Sequence, residues 1–301
     1  MVDMDPELEA FVPLIPQVDM TDPVTARKIY AEMAASKPPA DTSDMDIEDR
    51  MVPAEPDVPV RIYRPRQAQG AVVWLHGGGW MMGNLDTEHT WASRLAEGSG
   101  AVVISVGFRL APEQPFPAAL DDVYAVLCWT AEHAAEFGVD PERIAVGGHS
   151  AGGNLAAAAA LRARDEQGPP ICFQLLNEAA LDDRQETWSA TNFTDTPWAT
   201  RDTVAVNWRQ YLGATPASPY AAPARATDLS GLPPAYVAAA EFCPNRDEDI
   251  EYALRLLRAG VSVELRQWAG TFHGSQAILS AAVSQRQIAE LGAALRRGLA
   301  G

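Results

Sequence analysis

The sequence predicts an α/β protein: a mostly parallel central sheet with helices on both faces. Two observations carry this. Short, wholly apolar runs such as Ala71-Val72-Val73-Trp74-Leu75 are separated by longer stretches with helical periodicity. A strand that is apolar throughout is one buried on both sides, which is the mark of a helix-covered parallel sheet.

Taken in order, residues 1–50 are rich in Asp, Pro and Met, with one helical stretch over 23–36 closed by Pro38-Pro39. Val58 to Tyr63 alternates like a half-exposed strand. Apolar runs then follow at 71–75, 101–106, 143–147, 171–176 and 235–240, with a weaker one at 261–265. Helical patterns lie at 90–99, 118–137, 153–166, 248–259 and 276–299. Residues 183–222 are rich in Thr, Trp, Asn and Pro, with a short helix near 202–212. Residues 1–50 are expected to form an N-terminal cap, with 183–222 contributing to it, over a catalytic domain of residues 51–301.

Bulk composition narrows the function. The chain has 301 residues, 47% of them hydrophobic, as in ordinary soluble globules. Its net charge of −17 opposes binding to nucleic acid or to an anionic membrane. No apolar run approaches the roughly 20 residues that span a bilayer, and the opening Met1-Val2-Asp3 carries no secretory pattern. The expected compartment is the cytoplasm. Cys128, Cys172 and Cys243 stand at no metal-ligand spacing. No metal or organic cofactor is expected.

Two glycine-rich turns point to chemistry. The run ending at Gly147 continues into Gly148-His149-Ser150-Ala151-Gly152-Gly153 and an alanine-rich helix. This is G-x-S-x-G between strand and helix, where a sharp turn lifts the serine hydroxyl above the sheet edge. Upstream, the run 71–75 ends in His76-Gly77-Gly78-Gly79-Trp80. Three consecutive glycines cost backbone entropy. Bare amides offered to a developing oxyanion would explain them.

These motifs, with Phe108-Arg109-Leu110-Ala111-Pro112-Glu113, Leu181-Asp182-Asp183-Arg184 and Gly270-Thr271-Phe272-His273-Gly274, resemble the hormone-sensitive-lipase-like carboxylesterases of the α/β-hydrolase superfamily. The resemblance runs from about residue 55 to the end of the chain. It implies an α/β-hydrolase fold and a small-molecule ester substrate of short to medium acyl length. By analogy it admits a homodimer. Position by position it implies Ser150 as nucleophile and His273 as general base. Gly78, Gly79 and the Ala151 amide would be the oxyanion donors, with Gly77 shaping the loop. His273 also follows the last strand on a Gly-flanked loop. His76 is expected to brace the glycine loop and His149 to line the turn, while His89 and His133 read as ordinary helical residues.

The chain departs from the family at 243–245. The pattern E-x-D-P-x-x-D here reads Glu241-Phe242-Cys243-Pro244-Asn245-Arg246-Asp247, so a cysteine stands where the resemblance expects the catalytic Asp. A thiol is mostly uncharged at neutral pH and supports an imidazolium poorly. Departures also cluster at 177–180. Three readings are open. The acid has moved to Glu178, after the preceding strand; or Glu241, Asp247 or Asp249 substitutes; or the triad is incomplete, leaving a slow hydrolase, altered chemistry or a small-molecule binding protein. Glu178 is the preferred acid. Trp80, Trp188, Trp198 and Trp208 suggest an aromatic-lined pocket, although each fits cap packing equally well.

Overall fold

The computed structural model describes residues 4–301 apart from Lys37 and Pro39, so the second proline of the expected helix stop lies outside the described residues. Among the described residues, eight strands form one sheet in the order β1-β2-β4-β3-β5-β6-β7-β8. They are β1 (Met45–Val52), β2 (Val58–Pro65), β3 (Ala71–Leu75), β4 (Val102–Val106), β5 (Ile144–His149), β6 (Phe173–Asn177), β7 (Ala235–Phe242) and β8 (Val263–Phe272). From β4 to β8 all neighbours are parallel, whereas β2 runs antiparallel to both β1 and β4.

The apolar runs become strands because both of their faces are covered. In β3, Val73 and Leu75 enter one core while Val72 and Trp74 enter the other, the period-2 alternation of a pleated strand. The helices are α1 (Pro6–Glu9), α2 (Pro23–Ala35), α3 (Leu85–Ser99), α4 (Ala118–Glu132), α5 (Ala151–Asp165), α6 (Trp188–Asn192), α7 (Arg201–Leu212), α8 (Arg246–Arg258) and α9 (Ala282–Ala300). Residues of α3 and α9 fill one core, and residues of α4, α5 and α8 the other. The alanine run 156–160 is wholly buried, because small side chains let α5 lie close against the sheet.

The sequence reading is adjusted at three places. Residues 45–50 of the expected N-terminal cap belong to an edge strand of the sheet, Met45–Val52. α3 starts at Leu85 rather than near residue 90, because Asn84 and Thr87 form a reciprocal capping box there. α9 starts at Ala282, after a short 3-10 turn at Ser275–Ala277.

The N-terminal segment is tied down at specific points. Arg27 donates to both oxygens of Glu113, at 2.8 and 2.7 Å, and to the carbonyls of Met81 and Ala111. Met20 and Ala26 pack with Met81, Met82 and Ala111 in a small separate core. The segment therefore rests directly on the chain that follows the triple-glycine loop. No described helix is long and apolar enough to cross a membrane.

Candidate active site

β5 and α5 meet at Ser150, whose φ of 56° and ψ of −117° place a non-glycine residue in a strained region. Such backbone costs about 1–3 kcal/mol and persists only where its surroundings enforce it. Here the Ser150 amide donates to the Asn177 carbonyl at 2.9 Å, and its carbonyl accepts from Ala180 and from Asn154 in the first turn of α5. A side chain at Gly152 would enter the van der Waals shell of the Leu75 carbonyl, so only glycine lets the helix pass the end of β3.

The Ser150 Oγ lies 2.9 Å from His273 Nε2. Both side chains are buried at the base of a cavity of about 450 Å³, which Gly78, Gly79 and Ala151 also line. Ala151 opens α5, so its amide is one of those a helix leaves without an internal partner. Gly78 has φ +116°, and a side chain there would strike the Met82 backbone. The candidate nucleophile, base and oxyanion donors therefore converge on one chamber.

Behind the imidazole, His273 Nδ1 lies 3.1 Å from Cys243 Sγ and 3.5 Å from Glu178 Oε2. Glu178 has φ 50°. Its amide donates to the Ala238 carbonyl at 2.8 Å and its Oε2 accepts from the Gly274 amide at 2.7 Å, which fixes the carboxyl beside the histidine loop. Oε1 has no hydrogen-bond partner. Burial, only partly offset by the Gly274 amide, raises the Glu178 carboxyl to about 8. Burial lowers His273 to about 4. The Cys243 thiol is pushed well above its usual value by burial first, then by Glu178 and Asp249. The His273 imidazole is therefore neutral at neutral pH, and both groups behind it favour their uncharged forms.

The other carboxylates weighed as substitutes are engaged elsewhere. Glu241 accepts from the Gly270 amide, Asp247 from Ser189 and Arg246, and Asp249 from the Ala179 amide. His76 stacks on Phe108, and its Nδ1 lies 2.8 Å from the Gly77 carbonyl, in the glycine loop. The His149 ring stacks on the His273 ring at 5.3 Å with the planes inclined by 29°, and the Asn177 and Gln276 amides lie 2.9 and 3.0 Å from its Nδ1. One atom each of His149, Glu178 and His273 fall within 4.8 Å of one another, a spacing that a metal ion can bridge. All three side chains already have partners within the protein.

The tryptophans divide. Trp80 and Trp198 line the chamber. Trp208 is buried 4.6 Å from Trp80 and supports it from behind. Trp188 does not belong to the pocket: it is 59% exposed, packed edge-on against Phe193 with Arg246 over its ring. Two polar chamber residues escape a reading of the sequence. Asn245 sits inside the departing 243–245 stretch, and Asn207 looks like one polar position on an amphipathic helix; both line the chamber beside Ser150.

Residues 72–277 match the family model described as the alpha/beta hydrolase fold. Carboxylesterase NlhH of Mycobacterium tuberculosis is 42% identical over 284 residues, covering 90% of this chain and 88% of that protein. The chain belongs to the hormone-sensitive-lipase-like carboxylesterase family. Solved structures of esterases superpose closely on the chain. A bacterial heroin esterase shares 45% identity at a TM-score of 0.93 over 98% of both chains. A thermostable esterase from Pseudomonas putida shares 32% identity at 0.93, covering 99% of this chain and 98% of the other.

Proposed function

We propose that the chain is a serine carboxylesterase acting on small esters of short to medium acyl length through an acyl-enzyme, with Glu178 as the relocated acid. The observation that carries this reading is the line Ser150 Oγ, His273, Glu178, with contacts of 2.9 and 3.5 Å. In this mechanism Ser150 attacks the ester carbonyl as His273 Nε2 takes its proton. The tetrahedral oxyanion rests on the Gly78, Gly79 and Ala151 amides. The new imidazolium is a positive charge beside Glu178, and the carboxylate form of that side chain, left once its proton has gone to solvent, stabilises it. His273 then gives the proton to the leaving alcohol, and water repeats the sequence on the acyl-enzyme.

We also read the described residues of 4–44, together with 183–222, as a cap bounding the chamber. Ile15, Met20, Tyr30, residues 194–200, Thr203, Val204 and Asn207 contribute to its lining, and the cap stops where β1 enters the sheet. The free thiols of Cys128, Cys172 and Cys243 suit the reducing cytoplasm.

One observation favours a second reading. With Cys243 and Glu178 both inclined to be neutral, the frame would also suit a binding protein with an incomplete triad. Labelling by a fluorophosphonate, together with p-nitrophenyl acetate and butyrate turnover, separates the two. The esterase reading expects stoichiometric labelling at Ser150 and loss of at least about 10⁴-fold activity in Ser150→Ala. An unlabelled, inactive wild type selects the binding protein.

A further inference from the structure

Two cavities meet at His273, and their linings differ in character. The larger contains Ser150, Gly78 and Gly79. The smaller lies beyond His273 and Gly274, and Tyr30, Met33, Trp91 and Phe272 help to make it largely apolar. In the serine-esterase reading, on which this inference rests, His273 protonates the leaving oxygen. The alcohol half of the ester therefore departs on the histidine side, toward the apolar cavity, and the acyl half occupies the larger one.

Among the carboxamides lining the larger cavity, those of Asn207 and Asn245 reach deepest into the protein and make no side-chain hydrogen bond among the described residues. Asn245 is 3% exposed, and its side chain makes no hydrogen bond among the described residues. Asn207 Oδ1 is buried without a partner. The same carboxamide lies against Gly79, where all three of its terminal atoms would fall within 3.0 Å of a Cβ. Three of the neighbouring hydroxyls are already engaged. Thr200 and Thr203 cap α7, and the Thr196 hydroxyl donates to the Ala199 carbonyl. A buried amide left unpaired is a cost that a ligand carrying the matching group removes, and a site of this kind disfavours analogues lacking that group.

We propose that Asn207 and Asn245 select esters whose acyl part carries a hydroxyl or amide near the carbonyl, in preference to plain alkanoyl esters. The experiment compares kcat/KM of the wild type for benzyl butyrate, benzyl 3-hydroxybutyrate and the benzyl ester of N-acetylalanine. At least one polar ester should exceed benzyl butyrate by about tenfold, the scale of one recovered hydrogen bond. Asn207→Leu and Asn245→Leu should each pull that ratio toward one. A wild-type ratio at or below one for both polar esters overturns the inference while leaving the esterase reading intact, as does a high ratio that neither variant lowers. If the wild type turns over none of the three, the esterase reading falls and takes the inference with it.

Discussion

Cys243 Sγ stands closer to His273 Nδ1, at 3.1 Å, than the Glu178 carboxyl does, at 3.5 Å. Proximity and chemistry therefore disagree about which residue supports the base. The thiol occupies the position where the family resemblance expects an acid, yet burial and three neighbouring carboxyls oppose its ionisation. Glu178 is farther away, but in the proposed mechanism the imidazolium formed during turnover would favour its charged form.

This argument predicts unequal costs. Glu178→Gln keeps the shape and an acceptor for the Gly274 amide, and should lower kcat/KM for p-nitrophenyl butyrate by about 10²–10⁴-fold. Cys243→Ala should cost less than about tenfold, because a neutral thiol contributes little to an imidazolium. Adding Cys243→Asp to Glu178→Gln should recover at least about tenfold over the single variant, by returning a carboxylate to the side of Nδ1. Equal losses in Glu178→Gln and Cys243→Ala would sink the relocated acid.

The same groups set the pH profile. His273 is lowered to about 4 by burial, so the base is already free at pH 5, and the usual acid limb near 6.5 should be missing from kcat/KM. Glu178 is neutral below about 8 and charged above it. If its carboxylate supports the imidazolium, kcat/KM climbs as pH rises through about 8, and Glu178→Gln removes that climb. A stopped pH series from 5 to 9.5 on both proteins measures this. A limb that stays near 6.5 and is the same in both would contradict it.

The turn geometry predicts separable effects at two glycines. Gly78→Ala puts a Cβ against the Met82 backbone at a φ that L-residues avoid. The glycine loop must shift to accept it, so kcat should fall at least about 10²-fold, the loss expected from one oxyanion donor. Gly152→Ala drives a Cβ into the Leu75 carbonyl, between β3 and α5. That contact lies in the main core, so Gly152→Ala should mainly reduce the yield of folded protein. Circular dichroism melts and activity per folded molecule distinguish the two.

Much of this arrangement is legible in the sequence, for physical reasons. Strands buried on both faces must be apolar throughout, so 71–75 and 102–106 stand out. β1 does not, because Met45–Val52 is a partly exposed edge carrying Asp46, Glu48, Asp49 and Arg50. Ser150 and the glycine loop advertise themselves because only small residues permit their turns. Glu178 can be suggested by its place after β6, but its distance from His273 follows from the lateral order β6-β7-β8, which no local pattern encodes. Asn207 and Asn245 become chamber residues only once the segment 194–207 folds back over Ser150. The orientation of a tryptophan is equally invisible, and so Trp188 and Trp198 separate only in three dimensions.

Stability should also carry the mark of Glu178. An unfolded glutamate ionises near 4.5, whereas this one, sealed at 1% exposure, holds its proton to about 8. Between those values the unfolded chain releases a proton that the folded chain retains, so unfolding becomes easier as pH rises. The penalty is absent below about 4.5 and fully present above about 8. Glu248 and Asp249, buried and shifted upward in the same way, add to the trend but remain unchanged in a Glu178 variant. Glu178→Gln should therefore melt close to the wild type at pH 5 and several degrees above it at pH 9, provided the Gly274 amide keeps its acceptor. Thermal denaturation at the two pH values tests this. A variant that loses stability equally at both would mean that the carboxyl is held ionised in the folded state, and that His273 already carries its counter-charge before any substrate arrives.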